Sequence, residues 1–283
     1  MTTTTPRLAR VARLLAALAL ALASAAPARA QLEGPEEEPQ ASKFKDPITR
    51  FWFNTYGNIR LTDRVFWVAQ THFRFRETDD VPLFGQPAQL YNRHALSYLF
   101  SKYFQASVGG VARINFNPDE VLPGERRAVP EWRIWHEYLF ATSVGHAKVY
   151  HRIRLEHRWS RDYPDDAEYI FRNRWRYMFA VKHPLNKPKL TTGAFYIGPE
   201  AELIMQSGKA VVDSPMEDLR LHTALGYILS PRLTLATGAM YSFGQTLDDG
   251  AVYSPKWTWR AHMYFTPDFR KVKNKLPDIH RDE

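Results

Sequence analysis

Cysteine is absent from the 283 residues, which removes disulfides, thiolate metal sites and a cysteine nucleophile together. Beyond residue 30 no stretch approaches the roughly 20 consecutive apolar residues of a membrane-spanning helix. The 10 histidines show no H-x-x-x-H helical spacing, so a metal centre has little support. Neither a phosphate loop nor a dinucleotide fingerprint occurs, and no cofactor is expected. The net charge is +8. Its basic residues are threaded through the chain and not gathered on one helix or loop, which argues against a nucleic-acid partner.

What the chain has is aromatic side chains, with 8 Trp, 14 Tyr and 17 Phe, and a period of two. From Lys148 to Trp159, Tyr150, Arg152, Arg154, Glu156 and Arg158 share one parity, while Val149, His151, Ile153, Leu155, His157 and Trp159 share the other. From Tyr169 to Val181, Arg172, Arg174 and Arg176 alternate with Phe171, Asn173, Trp175, Tyr177 and Phe179. Period two means extended strands with two unlike faces. The same alternation runs over about 50–61, 65–76, 89–100, 104–116, 131–141, 190–205, 216–229, 233–245 and 256–265. With the two strands above this makes about eleven, many of them near the 9–11 residues that cross a bilayer at a tilt. Connections alternate between tight turns and longer loops, as in outer-membrane barrels.

The N-terminus carries an export signal. Arg7, Arg10 and Arg13 precede an apolar run from Leu14 to Ala26, and Ala28-Arg29-Ala30 forms an A-x-A cleavage site. Residues 1–30 are therefore expected to be a signal peptide. Residues 31–48, with Glu36-Glu37-Glu38, read as a mobile polar leader. Residues 49–266 read as the barrel and 267–283 as a loose polar tail.

Energetics assign the faces. A Lys or Arg on the lipid face at mid-bilayer costs about 2–4 kcal/mol, and nearly every strand arginine lies on the parity opposite the aromatics. The expected fold is an all-β, antiparallel transmembrane barrel of roughly 10–12 strands in the outer membrane. Its aromatic girdles would be Tyr98, Phe100, Tyr138, Phe140, Tyr177, Phe179 and Tyr227 at one end. Phe73, Phe75, Phe116, Trp132, Trp159, Phe171, Tyr241, Phe243 and Trp257 would form the other. His94, His136 and Asn173 fall on the lipid parity as misfits. A barrel with both ends in the periplasm needs an even strand number, so eleven implies a hidden strand, a misdivided pair, or an N-terminus entering from the other side.

The inward parity defines the candidate site. Arg74, Arg93, Arg133, Arg152 and Arg154 are expected to line the lumen, with Arg172, Arg174, Arg176 and Arg220. Glu137, Glu156, Glu200 and Glu202 face them. Paired, these residues would plug and rigidify a small barrel. The surplus of arginines would instead favour anions in an open constriction. An outer-membrane lipid hydrolase would use a Ser and a His on the lipid face near a rim, for which Ser97, His94 and His136 are candidates without a distinguishing spacing. A soluble periplasmic β-sheet is the other alternative. No catalytic activity is expected, and the partners would be outer-membrane lipid and the barrel-assembly machinery.

Arg93, Glu131-Trp132-Arg133, Arg152-Ile153-Arg154-Leu155-Glu156-His157-Arg158, Arg172-Asn173-Arg174-Trp175-Arg176-Tyr177 and Glu200 carry a resemblance. Over about residues 50–265 the chain resembles domain-of-unknown-function family 2490, secreted bacterial proteins regarded as outer-membrane barrels. The resemblance implies export and a barrel, and no activity, ligand or catalytic residue. Outer-membrane strands often end the chain on Phe or Trp, whereas here Phe265 is followed by a polar tail.

Overall fold

A computed structural model describes residues 47–208, 211, 214–245 and 252–272. The expected signal peptide, the leader up to residue 46, the loop at Asp248-Asp249-Gly250 and the tail from 273 lie outside the described residues. The described chain is all strand and loop, without helix. Its strands are β1 (Ile48–Arg60), β2 (Val65–Arg76), β3 (Gln86–Ser101), β4 (Phe104–Phe116), β5 (Ala128–Val144), β6 (Ala147–Ser160), β7 (Ile170–Pro184), β8 (Phe195–Ser207), β9 (Met216–Ser230), β10 (Leu233–Gln245) and β11 (Tyr253–Phe265).

Each strand pairs antiparallel with the next, and the sheet closes on itself through β1 and β11. That last pair is parallel, from Ile48 opposite Lys256 to Gly57 opposite Phe265. The expected all-β barrel of roughly 10–12 strands has eleven among the described residues, and this seam is its one departure from antiparallel pairing. Eleven up-and-down strands place the first and last side by side pointing the same way, so closure needs no hidden twelfth strand.

The two rims differ. One carries the tight turns after β1, β3, β5 and β9. At the β5–β6 turn Val144 pairs with Ala147 and Gly145 has φ of 61°, the left-handed conformation that a two-residue hairpin demands. On this rim the β7–β8 connection, 185–194, is the single long one, whereas the other rim carries only longer loops. Two of these are zipped together: Arg126 N donates to Tyr163 O at 2.8 Å, Asp165 N to Gly124 O at 2.8 Å, and Tyr163 Oη to Phe116 O at 2.9 Å. The 161–169 connection is thus an ordered part of the rim.

Two boundaries depart from the periodicity. The strand expected from residue 190 begins at Phe195. Leu190 instead belongs to the turn before it and packs with Ala194, Tyr196, Ala224, Ile228 and Ala236 at the tight-turn end. The first residues of the expected loose tail are fastened. Arg60 N donates to Pro267 O at 2.8 Å and Phe269 N to Arg60 O at 2.9 Å, continuing the parallel seam past β11.

The outer face is apolar along its whole height. Val108 is 60 % exposed, Leu96 57 % and Ile134 56 %. Apart from Glu217, which a bulge in β9 turns inward, no Lys, Arg, Asp or Glu occupies the outward parity of any strand. Aromatic rings flank this belt at both ends. Phe104 lies 5.3 Å from Phe100 and 4.8 Å from Phe140 at the tight-turn end. Tyr241 lies 4.7 Å from Trp257, and Trp159 5.1 Å from Phe171, at the long-loop end. Two of the three polar misfits, His94 and Asn173, find hydrogen-bond partners on the outer face, and the His136 ring lies 6.1 Å from that of His157. Trp67 Nε1 donates to His94 Nδ1 at 3.2 Å, and His157 Nδ1 to Asn173 Oδ1 at 2.7 Å.

Candidate functional site in the barrel lumen

Inward parity brings the charged side chains of neighbouring strands into ladders. β5 presents Glu131, Arg133, Trp135 and Glu137, and β6 sets Arg158, Glu156 and Arg154 against the last neighbours of that row. β7 adds Arg172, Arg174 and Arg176 opposite β6. β8 and β9 supply Glu202 opposite Arg220. Register sets Glu137 against Arg154, Glu156 against Arg174 and Glu202 against Arg220, but also Arg133 against Arg158 and Arg154 against Arg176.

Glu156, fully buried, stands at the centre. Its carboxylate accepts from Arg133 Nη1 at 2.8 Å, Arg176 Nη1 at 3.1 Å, Arg174 Nη1 at 3.3 Å and Arg93 Nη2 at 3.4 Å. Glu131 binds Arg113, Arg133 and Arg158, the last at 3.2 Å through both Nε and Nη2. Glu202 accepts from Arg152 at 2.6 Å and from Arg176 Nη2 through both oxygens at 2.8 and 2.7 Å. Glu137 takes Arg154 Nε at 2.6 Å. Such buried carboxylates, each held by several guanidiniums, are the arrangement in which charge can be kept out of water.

Aromatic rings inside the lumen complete this layer. The Arg74 guanidinium lies 3.8 Å over the Trp52 ring, and Arg154 4.8 Å and Arg93 5.3 Å over Trp135. Tyr91, only 3 % exposed, is faced by Arg74, Arg113, Arg133 and Arg93. Rings so placed hold guanidinium planes by cation–π attraction.

The ion-pair layer divides the lumen into two chambers. Toward the tight-turn rim is a space whose lining includes Glu200, Arg260, Tyr56, His222 and Lys182. Toward the long-loop rim is one that includes Arg50, Arg76, Arg172 and Tyr163. Trp52 and Arg74 line both. Burial raises the ordinary phenol pKa of Tyr163, and Arg76 opposes that rise. Among the described residues no group of three or more His, Asp or Glu is arranged to hold a metal ion.

The structure brings most of the expected site residues into the ion-pair layer, with Arg220 held by Asp218 at 2.6 Å. Three stand apart. Glu200 pairs with Arg260 at 3.6 Å in the tight-turn chamber. Arg74 donates to Gln89 Oε1 at 3.0 Å, and Arg172 faces the long-loop chamber. Ser97 lies inside the lumen, sharing a hydrogen bond of 2.5 Å with Ser107, while His94 is on the outer face. They form no dyad, and the placement of Ser97 near a lipid-facing rim is corrected.

One member of the layer escapes the alternation. Ile204 pairs with Asp218 and Met205 with Met216, so Glu217 is the extra residue of a bulge. The bulge lets Glu217 turn inward with Asp218, where it binds Arg174 and also Arg158 at 3.3 Å. A strict period of two assigns it to the wrong face.

A closed eleven-stranded barrel with an apolar outside, and an arginine–carboxylate layer across its lumen, is the class that fold and site define. The model of a family described as protein of unknown function (DUF2490) matches residues 49–252, and the chain belongs to that family. No curated protein matches it.

Proposed function

We propose that this protein is an outer-membrane β-barrel held shut at mid-height by its ion-pair layer. It is a structural barrel that admits small anions to its chambers and does not let solute flow through freely. The observation that carries the membrane reading is the outer face. Eleven strands put rings and aliphatic chains outward, and none puts a formal charge there. A soluble sheet has no physical reason to avoid every charge on its exposed face, whereas a lipid-facing one does. Outer-membrane lipid and the barrel-assembly machinery are the partners this reading requires.

The shut lumen rests on Glu131, Glu156 and Glu202. Each is bound by several arginines in the layer between the chambers. An anion-selective channel is the second reading, favoured by the excess of lumen arginines over carboxylates and by the shared Trp52–Arg74 wall of the two chambers. No observation favours a lipid hydrolase.

Planar-bilayer conductance of the detergent-purified barrel, under a salt gradient, separates the readings. Heat-dependent gel mobility establishes folding first. We expect inserted protein to be silent. Sustained anion-selective steps would establish the channel instead, and release from membranes without detergent would remove the membrane reading altogether.

A further inference from the structure

The lumen carboxylates are unevenly shared. Glu131, Glu156 and Glu202 of the β5–β9 wall are each held by three or more arginines, but the chamber under the long-loop rim is cationic. Arg50, Arg74, Arg76 and Arg172 line it. None has a carboxylate within ion-pair distance among the described residues, and each keeps a buried Nε without a hydrogen-bond partner. Strand register makes the crowding worse. Arg50 stands directly opposite Arg76, and Arg172 directly opposite Arg158. Like charges facing across a ladder repel, and a buried guanidinium without a counter-ion is unfavourable. Of the two carboxylates that line the chamber, Glu131 is already occupied by Arg113, Arg133 and Arg158, and Asp162 lies beyond ion-pair distance of all four.

The chamber is also built to hold its shape. Arg74 is stacked on Trp52. Arg76 Nη2 donates to Phe116 O at 2.6 Å, the carbonyl that also accepts from Tyr163. The zipped loops fix Tyr163 at the rim. From this arrangement we infer that the long-loop chamber binds a multiply charged oxyanion of the phosphate or pyrophosphate class. The planar fork of arginine matches phosphate oxygens in pairs, and two or more negative charges bridge the facing arginines as a single chloride cannot. The inference rests on the lumen admitting anions, as in the proposed function, and not on the bilayer.

The test is calorimetric titration of the folded, detergent-purified full chain with inorganic pyrophosphate, against sodium chloride at matched ionic strength. We expect saturable pyrophosphate binding, weakened at least tenfold in the R50Q/R172Q double variant and unchanged in R260Q, which alters the other chamber. A free oxyanion and the phosphate of a lipid share this chemistry. Binding of micelle-dispersed phosphatidic acid with pyrophosphate silent would assign the site to a lipid phosphate. Wild-type protein that binds neither beyond the chloride control overturns the site, whether or not the double variant folds. Equal binding by the double variant overturns it too. A silent bilayer recording leaves this test untouched, so the two proposals fail separately.

Discussion

At the scale of single residues, Glu156 is the sharpest point of dependence. It is the shared acceptor of Arg93, Arg133, Arg174 and Arg176. E156Q keeps the shape and removes the charge, leaving four guanidiniums around a neutral amide. Removing one partner of a buried ion pair costs about 3–5 kcal/mol, and we expect a loss of that size in urea unfolding of the folded barrel. A change below about 1 kcal/mol, the value of an exposed pair, would mean that water screens the layer. Asp268 gives a pH-dependent counterpart outside the strands. Hydrogen bonds from Arg270, at 2.7 and 3.0 Å, hold its carboxyl below the ordinary range. A depressed folded value stabilises above the unfolded value of about 3.9. That contribution declines below it and is lost as pH falls through the folded value. Protection of the Phe269 amide, which reports the fastened tail, should therefore persist at pH 5 and disappear only in strong acid. D268N should lose it at every pH. Hydrogen exchange read by mass spectrometry checks both.

Single elements reveal how much alternation could disclose. Arg133, Glu137, Arg154, Glu156 and Arg176 were placed in the lumen by parity alone, because a strand reverses its side chain at every residue. Parity fails where the ladder slips. Glu217 faces inward only because β9 bulges, and nothing local in Met216-Glu217-Asp218 announces it. Parity holds, by contrast, where residue type alone would mislead. Tyr91, Trp52 and Trp135 are lumen residues that stack on arginines, although rings are more readily assigned to lipid. That Glu131 is the common acceptor of Arg113, Arg133 and Arg158 depends on the pairing of three different strands and has no trace in one strand's spacing. The outward face permits a direct test on β5. Ile134, near its middle, is exposed between the girdles, and I134R should destabilise the barrel in lipid vesicles by about 2–4 kcal/mol. Unfolding midpoints in vesicles measure this. An unchanged midpoint would place Ile134 away from the hydrocarbon.

For the whole molecule, eleven strands were countable from the turns, but how they closed was not. Periodicity says which face a residue takes and nothing about which strand meets the first. The parallel β1–β11 seam settles that, and it has a consequence for reconnecting the chain. A barrel whose ends share a rim can be circularly permuted with a few linking residues. Here β1 begins at the long-loop rim and β11 ends at the tight-turn rim. A peptide joining them must run the height of β11, whose 13 residues span roughly 43 Å at about 3.3 Å each. The charged layer obstructs the inner route, and the outer route lies along the apolar face. Permutants opened at the Gly145 turn and joined from Phe265 to Ile48 should then fail to fold with a four-residue linker, which is too short. They should fail in lipid with a 20-residue one too, whose backbone finds no hydrogen-bond partner along the apolar face. Heat-dependent gel mobility would read both. The odd strand number, invisible in any single strand, thus dictates how the chain can be rewired.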